Sequence, residues 1–160
     1  MKKITILIIA FSTLTFSASW ISYDFKYEME DDYGTSLKAD SGPITLGFET
    51  PLSEDTAMGI SYDIVGAEYN GVSGEAQMCN IYSKYSMPLD NQLSLWRSLG
   101  YNIPTGDTDY LEGGVSYGFG MLHSSGVGFH YMIHNFAYPE DDYYYEFDIT
   151  ITRMGLSYSF

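Results

Sequence analysis

The chain has 160 residues, 45% of them hydrophobic and 17% aromatic, with seven Lys and Arg against 21 Asp and Glu and a formal net charge of -14. The length fits one domain. The charge excludes a nucleic-acid binder, which must neutralise phosphates with basic surface, and the aromatic content excludes a disordered acidic chain. One cysteine excludes an intrachain disulfide framework, and no Cys/His cluster has zinc spacing, so neither metal nor cofactor is expected.

Met1-Lys2-Lys3 is a short positive region, followed by an almost unbroken apolar run from Ile4 to Phe11 that Leu14 and Phe16 extend. Small residues follow at Ser17, Ala18 and Ser19. This is the layout of a secretory signal peptide, and the run is shorter than the ~20 residues of a spanning helix. Cleavage after Ser19 puts Ser17 and Ser19 in the small peptidase subsites, whereas cleavage after Ala18 would put Phe16 there. The expected organisation is therefore a signal peptide over 1–19 and one domain over 20–160. Its basic residues are Lys26, Lys38, Lys84, Arg97 and Arg153.

Period-two alternation dominates the mature chain and predicts strands with one large apolar face and one small or polar face. Ile21, Tyr23, Phe25, Tyr27 and Met29 alternate with Ser22, Asp24, Lys26 and Glu28. Further strands are centred on Ile44–Phe48 and Met58–Ile64. Residues 76–87 alternate weakly, with Cys79, Ile81, Tyr85 and Met87 on one parity. Residues 93–103 place Leu93, Leu95, Leu99, Tyr101 and Ile103 together, and Arg97 shares their parity. Val115–Met121 and Val127–Ile133 alternate cleanly. In residues 146–160 the apolar parity slips, from Ile149 and Ile151 to Met154, Leu156, Tyr158 and Phe160. Either a bulge near Thr152-Arg153 realigns them or the face is mixed.

Three connections are short: Pro51–Asp55, Pro88–Gln92 and His123–Gly126. Four between them are acidic or turn-rich: Glu30–Ser41, Gly66–Gly74, Pro104–Leu111 and Tyr138–Tyr144. Gly, Pro, Asn and Asp make these turns for conformational reasons. Eight strands joined alternately by long and short links form an all-β, antiparallel up-and-down meander. Strands of ~10 residues suffice to cross a bilayer when tilted. Lipid does not tolerate an open edge, so the expected fold is a closed eight-stranded transmembrane β-barrel.

A soluble periplasmic ligand-binding barrel would turn the apolar face inward. A membrane barrel turns it outward. Residue size favours the membrane barrel. The polar-face set contains Gly47, Gly59, Ser61, Ser116, Gly118, Gly120 and Gly128, which suit a crowded eight-stranded interior. The opposite face carries Tyr, Phe, Ile, Leu and Met, as lipid contact and aromatic girdles require.

The last eight residues run from Arg153 to Phe160, with Gly155, Tyr158 and the terminal Phe160 in the pattern of the assembly signal of bacterial outer-membrane barrels. With these residues the sequence resembles the small eight-stranded outer-membrane barrel family of the OmpX and OmpA-transmembrane-domain type. The resemblance implies outer-membrane localisation and insertion by the barrel assembly machinery, with Tyr158 and Phe160 facing lipid and Gly155 easing strand recognition. It also implies a monomer in contact with outer-membrane lipid and lipopolysaccharide. The short turns would face the periplasm and the acidic connections the exterior.

Strand parity expects Asp24, Lys26, Glu28, Glu49 and Asp63 in the lumen, joined by Lys84 and Arg153. Charges in a narrow interior must be paired, so the expectation is a plugged lumen in a protein with a structural or surface-interaction role, not an enzyme. A narrow small-solute or ion channel is the alternative use of the same charges. His130 and His134 lie ~13 Å apart along one strand face, too far to share a metal, and are expected to hydrogen-bond inside. His123 and Ser125 share a face and could form a nucleophile–base pair. That pair resembles the His-x-Ser motif of the outer-membrane lipid A deacylases, which makes a lipid-modifying enzyme the other alternative. Its place at a periplasmic turn, with no acid nearby, weighs against it. The acidic loops are expected to form a solvated rim. Arg97 either snorkels or lies on a strand whose register is shifted so that Trp96 faces lipid.

Overall fold

The computed structural model describes residues 18–69, 75–138 and 148–160. Residues 1–17, which carry nearly all of the expected signal peptide, lie outside the described residues. So do residues 70–74 and 139–147, with Glu140, Asp141 and Asp142 of the expected acidic rim.

Eight long strands among the described residues form the wall: β1 Ala18–Asp31, β2 Ile44–Pro51, β3 Thr56–Val65, β4 Glu75–Pro88, β5 Leu93–Gly106, β6 Val115–His123, β7 Val127–Ala137 and β8 Asp148–Ser159. Each pairs antiparallel with its neighbour in sequence. β8 returns to β1, from Trp20↔Ser159 to Asp31↔Ile149, and closes the barrel. Closure pairs the wall's polar edges, as the meander required. Two short strands trim one end: Ser36–Lys38 folds back on β1, and Ala67–Glu68 pairs with β4.

The turns after β2, β4 and β6 gather at the other end. Each is fixed locally. The Ser53 hydroxyl accepts the Thr56 N–H at 3.1 Å, and Asp90 Oδ1 accepts the N–H groups of Gln92 and Leu93 at 2.7 and 2.8 Å. Gly126 takes a left-handed φ of 90° that closes the third turn. The two backbone donors hold the Asp90 carboxyl below its ordinary range. We call these the turn end and the loop end.

Alternation decides what each face meets. Outward positions are large and apolar: Leu99 is 63% exposed, Phe119 58%, and Phe25, Val127, Leu156 and Tyr158 are exposed likewise. Inward positions are small or polar, with Ser22, Thr45, Ser61, Asn80, Ser98, Asn102 and Ser116 all buried. Small residues also make room for large neighbours. A Cβ at Gly47 or Gly120 would collide with the Trp20 or Trp96 ring, and one at Gly59 with the Tyr82 ring.

Two strands depart from the expected parity. In β1 the register shifts between Asp24 and Lys26 where it pairs with β8. Beyond that bulge the faces exchange: Tyr27 is buried, while Lys26 is exposed. β8 itself runs without interruption, so of the two alternatives its face is mixed, with no bulge near Thr152-Arg153, and the register shift sits across the seam in β1. Ile149 and Ile151 share the inward face with Arg153 and are buried. They join Tyr27, Tyr69, Met78, Leu111 and Phe136 in an apolar cluster at the loop end.

Candidate functional site

The lumen is built in three storeys. Nearest the loops is the apolar cluster, into which Tyr69 and Leu111 reach from the connections after β3 and β5. The Tyr27 and Tyr69 rings meet edge to face with centroids 6.2 Å apart.

Below it lies a charge clamp. Asp24 and Asp63 are fully buried, from β1 and β3, and Arg153 of β8 lies between them. Arg153 Nε donates to Asp24 Oδ2 at 2.5 Å, and its two Nη atoms donate to Asp63 at 3.0 and 3.2 Å. Nη2 also donates to the Thr45 hydroxyl at 2.7 Å, which in turn donates to Asp63 Oδ1 at 2.6 Å. The Met78 N–H supplies Asp63 with another donor at 3.2 Å, and His130 Nε2 lies 2.5 Å from Asp24 Oδ1. Full hydrogen bonding is what allows such charges to remain buried. The guanidinium also lies over the Tyr27 ring, 5.6 Å from its centroid, so the clamp abuts the apolar storey. Beside it His134 Nδ1 sits 2.6 Å from Asn102 Oδ1, and the Ser116 hydroxyl donates to Asn80 Oδ1 at 2.8 Å.

The third storey is a cavity of about 80 Å³ that runs from the clamp to the turn end. Lys84 Nζ donates to both oxygens of Glu49, at 2.7 and 2.5 Å, and the Tyr82 hydroxyl donates to Glu49 at 2.9 Å. Trp20 Nε1 donates to that hydroxyl at 3.0 Å, and Lys84 lies 5.7 Å from the centre of the Trp96 ring.

Of the residues expected in the lumen, Asp24, Asp63 and Arg153 come together in the clamp, and Glu49 and Lys84 form a second pair nearer the turns. Lys26 and Glu28 join neither. The β1 bulge turns them to the outer side at the loop end, where Lys26 lies 3.1 Å and Lys38 3.8 Å from Glu28. In the C-terminal segment Arg153 and Gly155 point inward, while Tyr158 and Phe160 are exposed on the outer face with stacked rings 6.5 Å apart. β5 keeps a regular register, so Trp96 lines the cavity and Arg97 lies outside, 5.3 Å from the Tyr85 ring centre. Sequence reasoning missed Thr45, Asn102, Trp20 and Tyr82 as members of these networks. The parity of Tyr82 with Lys84, and of Trp20 with Ser22 and Asp24, was the available signal.

His123 and Ser125 meet at the turn end, with Nδ1 2.9 Å from the hydroxyl oxygen. The same nitrogen accepts the Ser125 N–H at 3.1 Å. That geometry describes a local turn contact as fully as it describes an activated hydroxyl. At the loop end Asp31, Asp32 and Asp107 each accept backbone N–H groups and order the connections. Among the described residues no three His, Cys, Asp or Glu side chains are grouped to hold a metal ion.

No family model matches the chain, and no curated protein sequence does. Solved structures resemble it in fold. Neisserial surface protein A is 9% identical with a TM-score of 0.55, covering 89% of this chain and 96% of its own. A de novo designed transmembrane β-barrel is 9% identical with a TM-score of 0.50, covering 91% and 98%. Ail, the attachment invasion locus protein of Yersinia pestis, is 15% identical with a TM-score of 0.46, covering 91% and 100%.

Proposed function

We propose that the chain is an integral outer-membrane protein of a bacterium with two membranes, a monomer with a structural or surface-interaction role and no catalytic activity. The carrying observation is the outer wall. Large apolar side chains are exposed on seven of the eight long strands of a closed barrel, and those of β2 (Ile44, Leu46 and Phe48) are half-buried; soluble monomers rarely expose large apolar side chains all round a wall. Lipid satisfies that surface, and closure satisfies the backbone. The acidic loop end fits the cell exterior, against lipopolysaccharide, and the tight turns fit the periplasm. The C-terminal pattern supports delivery by the barrel assembly machinery after removal of residues 1–19. The lumen's layers favour a plug over a narrow channel, since an apolar cluster and a paired charge clamp lie in series.

Cell fractionation tests the location, and migration on gels without boiling tests the folded barrel. The protein should sediment with outer membranes and change mobility on heating. Recovery in the soluble periplasmic fraction would overturn the reading. The lipid-modifying alternative has one observation in its favour, the His123–Ser125 contact. Mass spectra of lipid A from cells expressing parent or Ser125→Ala protein should be identical, and a parent-dependent loss of an acyl chain would establish the enzyme instead.

A further inference from the structure

The lumen is asymmetric along its axis. The loop-end storey is packed with Tyr27, Met78, Phe136, Ile149 and Ile151 together with Tyr69 and Leu111, while the turn-end storey is a cavity whose wall mixes hydroxyls, the Asn80 amide and the Glu49–Lys84 ion pair with the Trp20 and Trp96 rings, Leu122 and Met132. Its lining begins at Trp20, Ser157 and Ser159, beside the turns, and ends at Arg153 and His134.

Among the buried side-chain atoms left without a partner in the described residues, His134 Nε2 is the one on the cavity wall. His134 is 2% exposed and lines the cavity, yet its Nε2 has no hydrogen-bond partner among the described residues. With Nδ1 donating to the Asn102 carbonyl oxygen, Nε2 is left as a bare acceptor. A buried acceptor of that kind is costly unless it is met. A cavity of about 80 Å³ exceeds the ~10–15 Å³ that one water occupies on this measure several times over, and its hydroxyls, carboxylate and ring nitrogens offer a water hydrogen-bond partners.

We propose that the turn-end half of the lumen is a one-ended, water-filled vestibule whose innermost water donates a hydrogen bond to His134 Nε2. Its ligands are water and water-sized hydrophilic species. They enter and leave only past the turns, because the apolar storey and the Arg153 clamp close the other end. The inference rests on the membrane-barrel reading for which end faces which compartment, but its geometry belongs to the lumen alone.

Silver ion is a water-sized, membrane-impermeant probe for a thiol in this space. Ser98 is buried on the cavity wall, and cysteine nearly preserves its volume. In a Cys79→Ala background, Ser98→Cys is paired with an exposed marker, either Ser124→Cys in a turn or Thr35→Cys in a loop. The full-length barrels are reconstituted into vesicles and treated with silver ion from outside. Thiols left unprotected are then alkylated in denaturant and counted per chain by intact mass.

With the turn marker, chains should carry both thiols protected or neither. With the loop marker, they should carry one. Protection of Ser98→Cys together with the loop marker, or failure to protect it in either pair, overturns the proposal. Markers protected without regard to vesicle sidedness would instead show that the barrel does not span the bilayer, which is failure of the membrane reading. Nitrogen-15 NMR of the parent barrel supplies an independent check. His134 Nε2 should have the shift of a hydrogen-bonded acceptor and show cross-relaxation with water, and a ring nitrogen lacking both overturns the proposal.

Discussion

Arg153→Met removes the centre of the charge clamp while keeping a long side chain. Arg153 supplies three hydrogen bonds to two carboxylates that are both fully buried, and a fourth to the Thr45 hydroxyl that itself bonds Asp63. Taking away one partner of a buried ion pair costs about 3–5 kcal/mol, mostly because the remaining charge is stranded. Here Asp63 loses its one cation among the described residues, while Asp24 keeps its hydrogen bond with His130. With a urea dependence of ~1–3 kcal/mol/M, the unfolding midpoint should fall by at least about 1 M. The assay is urea titration of protein refolded into lipid vesicles, read by fluorescence of the two tryptophans and by gel mobility without boiling. Refolding without assembly machinery separates stability from any role of Arg153 in the C-terminal signal. Neutralising the stranded groups as well, in Arg153→Met/Asp24→Asn/Asp63→Asn, should recover most of the loss. A midpoint shift below about 0.3 M for the single variant, or no recovery in the triple, would refute a buried, paired clamp.

Gly120→Val should destabilise the barrel by about 1–3 kcal/mol, since its Cβ would enter the Trp96 ring and approach the Phe129 carbonyl; the same urea titration measures it. Arg97→Leu should change stability by less than about 1 kcal/mol, because the side chain lies on the outer face over Tyr85, four residues from the start of β5 at the turn end, where charge is tolerated near an interface. A larger change in that titration would place Arg97 deeper in the bilayer. Asp90 ties the turn between β4 and β5 through two backbone N–H groups that lower its pKa from 3.8. Its contribution is therefore complete above the unfolded value and lost as pH falls through the lowered one. Carboxyl chemical shifts should titrate below 3.8 in the folded protein, and Asp90→Asn should abolish that step.

Much of the barrel was legible because alternation, turn residues and a closed meander are each local signals of one architecture. The eight strands, the three tight turns and the small inner face all follow from period two. Asp24, Glu49 and Asp63 were placed by parity, because nothing between them and the turn end disturbs the count; the β3 register shifts only beyond Asp63, toward the loop end. Lys26 and Glu28 were not, because one extra residue in β1 reverses every position after it. The sequence around Phe25 carries no glycine or proline to mark that bulge.

The same reversal explains the apolar storey. Alternation sorts residues into two faces but does not say which face is wet at a given height. Tyr27 read as lipid-facing because it is apolar and most apolar neighbours face outward, and Ile149 and Ile151 stayed open between a bulge and a mixed face. In β8 the change from Ile149 and Ile151 to Met154 and Leu156 looked like a slipped register. It is a regular strand whose inner face changes character, apolar beside the loops and charged at Arg153. One side of the seam takes a bulge so that the other can remain straight, and the result brings Tyr27 inside, over the Arg153 guanidinium. A lumen that is charged in the middle and greasy at one end cannot be read from binary pattern alone, since both ends of the pattern obey the same period.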